Sequence, residues 1–188
     1  MAMNKFSCVK GCSDCCEKRE YFPSEPFGKI GVLLLPEEKS QVEANASRLG
    51  IQAKILPRIA VGERHEEIIA YQLMGISEDG DYCPFLDSSK MSPHGGGFCR
   101  IYSQRPLACR AYPVIDVDAH QAQLDQHCSF CSSHGNSVST VGLQSELEAL
   151  AKIKSRVKAE LGQVVWRYAT STGRSATLLP EGWVKEDI

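Results

Sequence analysis

The chain has 188 residues, a hydrophobic fraction of 43% and a formal net charge of -2 with a pI near 6.2, values that fit one ordinary domain with enough apolar material for a core. They exclude a basic footprint for non-specific nucleic-acid binding. No apolar run approaches the ~20 residues of a membrane span; the longest, Ile30 to Leu35, stops at Pro36.

The chain opens on sulfur. Of nine cysteines, Cys8, Cys12, Cys15 and Cys16 form one CxxxCxxCC knot, and Cys83, Cys99, Cys109, Cys128 and Cys131 follow at wide spacing. A free cysteine packs as a small hydrophobe, but four within nine residues have no packing rationale and read as a thiolate metal site. A disulfide scaffold belongs to short secreted chains. Here the cysteine count is odd, MAMNKFSCVKG lacks the apolar stretch of a signal peptide, and the expected compartment is the cytoplasm.

A loop rich in Pro and aromatics, EYFPSEPFGK, leads to a short helix. Pro36 suits its first position, Glu37 and Glu38 suit its positive end, and Gly50 is placed to stop it. Ile68 to Ile76 reads as a strand, and Glu78 to Asp81 as the turn that delivers Cys83. The triple glycine Gly95–Gly97 before Cys99 lacks a following Gly-Lys-Ser/Thr and reads as a flexible loop, with no nucleotide site. RIYSQRPLACRAYP runs into VIDVDAHQAQLD, whose alternation predicts a hairpin just before Cys128. From Leu143 onward Leu147, Leu150, Ile153, Val157, Leu161 and Val164 recur every three or four residues, predicting a long amphipathic helix; beyond Thr170 the chain reads as irregular.

Neighbouring Cys15 and Cys16 point apart and so suit two centres or two atoms of one cluster. Zinc takes four tetrahedral ligands, often as two short-spaced pairs, which Cys12/Cys15 with Cys128/Cys131 would supply. A cubane cluster takes a three-cysteine run plus a remote cysteine, often before proline, which Cys8, Cys12, Cys15 and Cys83-Pro84 would supply. Both remain open. Arg100, Arg105 and Arg110 stand where they would offset thiolate charge or pair with Asp87, Asp116 or Asp118. His127 and His134 flank the Cys128/Cys131 pair as candidate nitrogen ligands, though loop histidines of this kind are commonly just exposed. His65, His94 and His120 are given no role.

FSCVKGCSDCC, YCPFLD and FCRIYSQRPLACRAYPV, in that order, resemble the CxxCxxCC cysteine-cluster family of the YkgJ type, over roughly Phe6 to Cys128. The resemblance implies zinc or iron chelation, with Cys8, Cys12, Cys15, Cys16, Cys83, Cys99, Cys109 and Cys128 as ligands and Cys131 as an extra thiol. The first spacing departs from the pattern, CxxxC standing where the family has CxxC. The implied cofactor is an iron–sulfur cluster, 4Fe–4S on the three-plus-one spacing, or zinc.

The expected architecture is α+β: a small cysteine-rich domain (1–135) with short antiparallel strands around the metal centre, the amphipathic helix packed on it (136–170), and an irregular tail (171–188). Three function classes follow. They are a metal-binding protein with a structural, electron-transferring or protective centre; a metal-dependent enzyme, by analogy with flagellin lysine methylase, whose larger chain looks similar in the cysteine cluster; and a zinc-stabilised module for a protein or RNA partner. No nucleophile elbow, HExxH or paired carboxylate supplies other catalytic machinery.

Overall fold

The computed structural model describes residues 6, 8–17, 27–76, 82–118, 121–134, 140–160, 162–171 and 180–186. In chain order these form helix α1 (Asp14–Glu17), strand β1 (Val32–Leu34), helix α2 (Pro36–Leu49), β2 (Ile55–Val61), β3 (Glu67–Leu73), β4 (Leu86–Asp87) and β5 (Phe98–Cys99). A 3-10 turn at Tyr102–Gln104 precedes α3 (Leu107–Ala111), β6 (Val114–Asp118), β7 (Gln121–Leu124), α4 (Ser129–His134), α5 (Gln144–Arg156), β8 (Val165–Ala169) and β9 (Gly182–Lys185). The mixed helix and sheet content makes the chain α+β, as its sequence predicts.

Two compact units share the chain, each made of two segments: Met1–Lys18 with Phe85–Lys154, and Arg19–Pro84 with Ser155–Ile188. The second unit is built on a five-stranded sheet in the order β1-β3-β2-β8-β9, with antiparallel pairings between neighbours. Its helix α2 begins as the sequence predicts, with Pro36 at the first turn and the Glu38 carboxylate accepting the Leu35 N–H at 2.9 Å, which satisfies one donor of the helix start. Gly50, at φ 64°, ends it with N–H bonds to Ala46 and Ser47 carbonyls, a left-handed cap that glycine adopts without a Cβ clash. Val42 and Ala46 turn inward with Val32, Leu34, Leu73 and Ala60 in the core.

Gln72 is the polar exception in that core, with no exposed surface. Its Oε1 accepts the Gly31 N–H at 2.9 Å and its Nε2 donates to the Pro57 carbonyl at 3.0 Å. Because a buried amide group stripped of its partner carries its full desolvation cost, Gln72→Leu is expected to destabilise the second unit by roughly 2–4 kcal/mol. Both tryptophans, Trp166 and Trp183, lie in this unit, so urea unfolding followed by their fluorescence reads it directly. A midpoint that does not move would show that the two bonds are dispensable.

The first unit holds the cysteine knot, two small hairpins (β4/β5 and β6/β7) and helices α3 and α4. The β6/β7 hairpin pairs Val114 with Leu124 and Asp118 with Gln121, the hairpin that the sequence predicts before Cys128, although Ile115 and Val117 are exposed. Its core gathers Phe6, Phe85, Ile101, Val114, Leu143, Leu150 and Ile153, with the sulfurs of Cys16, Cys128 and Cys131 buried among these residues' unit.

One prediction is corrected. The long C-terminal helix is only α5, ending at Arg156, and Val165–Ala169 is a strand instead. Val157–Glu160 are non-helical, and Gly162 turns at φ 86°, where the chain leaves helical geometry. The β-branched pair Val164-Val165 then enters the sheet, Val165 opposite Val61. Within the tail expected to be irregular, Gly182–Lys185 pairs with β8 as strand β9. The turn expected over Glu78 to Asp81 and the histidine at 120 lie outside the described residues, as does most of EYFPSEPFGK. Among the described residues no helix is long and apolar enough to cross a membrane.

Candidate metal centre

The knot is shaped by two left-handed residues flanking Cys12: Gly11 at φ 86° and Ser13 at φ 56°. Positive φ is natural for glycine and strained for serine, and Ser13 is held there. It is buried, its hydroxyl donates to the Glu17 carboxylate at 2.5 Å, and its carbonyl accepts the Cys16 N–H at 2.7 Å. The chain then enters α1, which carries Cys15 and Cys16 with their sulfurs 3.9 Å apart.

The loop Ser92–Gly97 clamps this knot. Gly96 N–H donates to the Gly11 carbonyl at 3.1 Å, Gly97 N–H to Ser13 Oγ at 3.1 Å, and the Ser92 hydroxyl to the Gly11 carbonyl. A Cβ on Gly96 would sit 2.2 Å from the Cys12 carbonyl oxygen, closer than packed atoms approach, so only glycine allows this seating. The triple glycine that reads as a flexible loop is therefore the backbone surface on which the cysteine knot rests.

Beside the knot lies a cavity of about 340 Å³. Four thiols line it: Cys8, Cys12 and Cys15 from the knot, and Cys128 from the residue before α4. Asp14 joins these two segments, its Oδ2 accepting the Ser129 N–H at 2.9 Å. Phe6 and Phe130 form an edge-to-face pair in the wall, ring centroids 5.2 Å apart at 87°. His94 and Tyr112 complete it with Arg105.

Arg105 faces the sulfur. Its Nη1 lies 4.0 Å from Cys8 Sγ, its guanidinium stacks 4.0 Å above the Tyr102 ring, and its Nε donates to the Tyr102 carbonyl at 3.2 Å. Burial works against its charge, yet Tyr102, Cys8 and Cys109 outweigh burial and hold its pKa above the ordinary arginine value. Of the three arginines flagged in the sequence, this one stands where a cation would offset thiolate charge, whereas Arg100 lies near Asp87.

Two of these thiols, Cys12 and Cys128, are poorly hydrated, whereas Cys8 is exposed. Burial pushes Cys12 up to about 11, with Asp14, Cys15 and Cys8 adding to the shift. Burial also raises Cys128, opposed by N–H bonds from Cys131 and Phe130. Without a cation such thiols stay protonated; a metal ion reverses that preference because a coordinating thiol is deprotonated outright. Several sulfur donors on one wall, two backbone N–H groups aimed at Cys128 and a fixed guanidinium suit a soft thiolate-bound metal. Among the described residues no three donors already converge on a single point as a finished ion site.

The other sequence-predicted ligands fall elsewhere. Cys16 is buried behind Cys15, Cys99 is half-buried in β5 opposite Leu86, and Cys109 is half-buried in α3 near Arg105. Cys83 is buried and belongs to the second unit. All nine cysteines are free thiols. His127 is exposed, with Nδ1 2.9 Å from Asp125 Oδ1; the His134 side chain lies outside what is described. Sequence reading missed His94 and Asp14 as wall residues, and no spacing signal would have found His94, which the Ser92–Gly97 loop brings in from a distance.

A family model described as "CxxCxxCC: Putative zinc- or iron-chelating domain" matches residues 7–132, the stretch that contains every cysteine. No curated protein and no solved structure matches the chain.

Proposed function

The chain belongs to the CxxCxxCC family, and from that premise we propose that it is a metal-binding protein whose cavity thiols Cys8, Cys12, Cys15 and Cys128 hold an iron–sulfur cluster used for electron transfer. The observation that carries this reading is the gathering of three closely spaced thiols and one remote thiol around a single cavity of about 340 Å³. Three-plus-one is the donor pattern of a cubane cluster. A lone zinc with bonds near 2.3 Å needs far less room, and the second half of its Cys128/Cys131 pair is absent from the wall.

Four thiolates also close the coordination sphere, which favours electron transfer or a structural role over substrate chemistry at an open position. When bound, such a cluster supplies one-electron redox chemistry at a potential tuned by charge, hydrogen bonds and burial. In this chain Arg105 offsets negative charge beside Cys8, the Phe130 and Cys131 N–H groups donate to Cys128, and Phe6 with Phe130 gives the cavity an apolar wall. The ligand roles that family membership suggests for Cys16, Cys83, Cys99 and Cys109 remain part of this proposal as a wider donor set.

Elemental analysis and a visible spectrum of protein purified without oxygen test the reading. Iron with acid-labile sulfide and a broad band near ~400 nm is the expected result. Stoichiometric zinc in a colourless protein would overturn the cluster and leave a structural zinc centre; no metal at all would overturn both.

A further inference from the structure

Charge is unevenly spread over the cysteine unit. From Ser88 to Ile115 the chain carries Lys90, Arg100, Arg105 and Arg110 and no acidic residue, although its net charge is -2; Asp87, just before this stretch, lies near Arg100 and Lys90. Lys10, from the knot, comes to the same region. Its Nζ lies 5.0 Å from the centroid of the Tyr102 ring, over which the Arg105 guanidinium stacks at 4.0 Å. Two cations thus share one phenol, and among the described residues neither has a carboxylate partner. The acids of the knot are engaged instead with its own framework, Asp14 on the Ser129 N–H and Glu17 on the Ser13 hydroxyl. Apolar side chains flank this charge. Met91 is 76% exposed and Phe98 40%, one at each end of the loop that seats the knot. The Phe98 ring is 3.3 Å from where a Gly11 Cβ would stand, and the Ser92 hydroxyl bonds the Gly11 carbonyl, which brings Phe98 and the neighbour of Met91 against the residue that follows Lys10.

We propose that this face, made of Lys10, Lys90, Met91, Phe98, Tyr102 and Arg105, docks a small acidic electron-carrier protein. Unpaired cations select a partner of negative surface and steer its approach. Met, Phe, Tyr and Arg are the residue types enriched in protein interfaces, which favours a protein over another polyanion. The choice of an electron carrier among acidic proteins rests on the electron-transfer reading above. Of the four cavity thiols Cys8 alone is exposed, and it lies 4.0 Å from Arg105 Nη1, so a partner on this face sits beside the most accessible sulfur of the centre. In the encounter one electron leaves the reduced carrier and enters the thiolate centre; the carrier is oxidised, the centre is reduced, and no bond forms or breaks. Transient redox complexes bury less than about 1,200 Å², a size that a few charges around two apolar side chains suit.

Full-length protein purified without oxygen, its metal content measured first, is titrated calorimetrically with a plant-type two-iron ferredoxin, a one-electron carrier chosen for its acidic surface. Binding is expected, weakening by about tenfold or more when salt rises from about 0.1 M to about 1 M and the screening length falls from ~10 Å to ~3 Å. Carbodiimide, which joins lysine amines to carboxylates in contact with them, is expected to couple Lys10 and Lys90 to the carrier, as read by peptide mapping. Lys10→Glu is expected to weaken binding by about tenfold or more, because it sets like charges against each other, and Met91→Ser by roughly fivefold through lost apolar contact. Should Lys10→Glu fail to fold by circular dichroism, Lys90→Glu replaces it, and the coupling needs no variant. Reduced ferredoxin is expected to bleach the band near ~400 nm of iron-loaded protein. The proposal is overturned by absence of binding, by coupling only through lysines outside this face, by an unbleached band in iron-loaded protein, or by a single-stranded RNA of mixed sequence that binds as tightly as the carrier. Zinc in place of iron with docking intact upholds this surface and overturns the cluster; iron and sulfide without docking do the reverse.

Discussion

Cys128→Ser is expected to lower metal affinity by at least about 100-fold, beyond what loss of a supporting contact alone does, while Cys131→Ser leaves the metal content of anaerobic protein nearly unchanged. The contrast is sharp because the two sulfurs are hydrogen-bonded neighbours with the same burial cause behind their raised pKa values, Cys131 up to about 12. They differ in one respect, that only Cys128 lines the cavity. Serine keeps the size and hydrogen bonding of the site but is a far poorer ligand for a soft metal. Metal-to-protein ratio by elemental analysis, after exhaustive desalting, reads both variants. Equal loss in the two would make Cys131 a ligand and revive the two-pair zinc arrangement.

Removing the metal is expected to loosen the whole cysteine unit and not just the knot. Binding energy at a site that does not exist in the unfolded chain becomes folding energy, on the order of 10 kcal/mol for structural thiolate sites. The knot contacts the Ser92–Gly97 loop through three hydrogen bonds and the start of α4 through Asp14. Anaerobic chelation should therefore strip amide protection from Ser92–Gly97 and from α4 together, read by hydrogen–deuterium exchange. Exchange confined to residues 8–17 would show that the metal orders the knot alone. Tryptophan fluorescence reports separately on the other unit, where both indoles reside.

Much of this was legible in the residues, for identifiable reasons. Helix α2 carries its own start and stop in Pro36, Glu38 and Gly50, all local signals. The hairpin β6/β7 is signalled by the alternation of VIDVD, although Ile115 and Val117 stay exposed. The thiolate character follows from counting sulfur. The misreadings come from tertiary context. The period-3.6 pattern after Leu143 continues through Val157, Leu161 and Val164, but periodicity cannot register that Gly162 turns the chain or that Val61 and Ala60 offer strand partners to Val165 and Trp166. Strand β2 contains Pro57, which argues against a central strand; it is tolerated because the pairing shifts register between Pro57 and Ile59 and β8 pairs only from Ile59 on. Gly96 looked like slack because its constraint, the Cys12 carbonyl, lies 84 positions away.

That each unit is assembled from two separated stretches of chain has a consequence for biosynthesis. The 120 positions from Cys8 to Cys128 take roughly 6–24 s to emerge from a ribosome adding about 5–20 residues per second. Throughout that interval, on the four-thiol reading, three nascent thiols wait for their fourth. The other unit waits longer still, since strands β8 and β9 follow Cys128 in the chain. On the four-thiol reading, any metal donor must therefore act after Cys128 has emerged, and until then the early cysteines stand open to oxidation and to capture of the wrong metal.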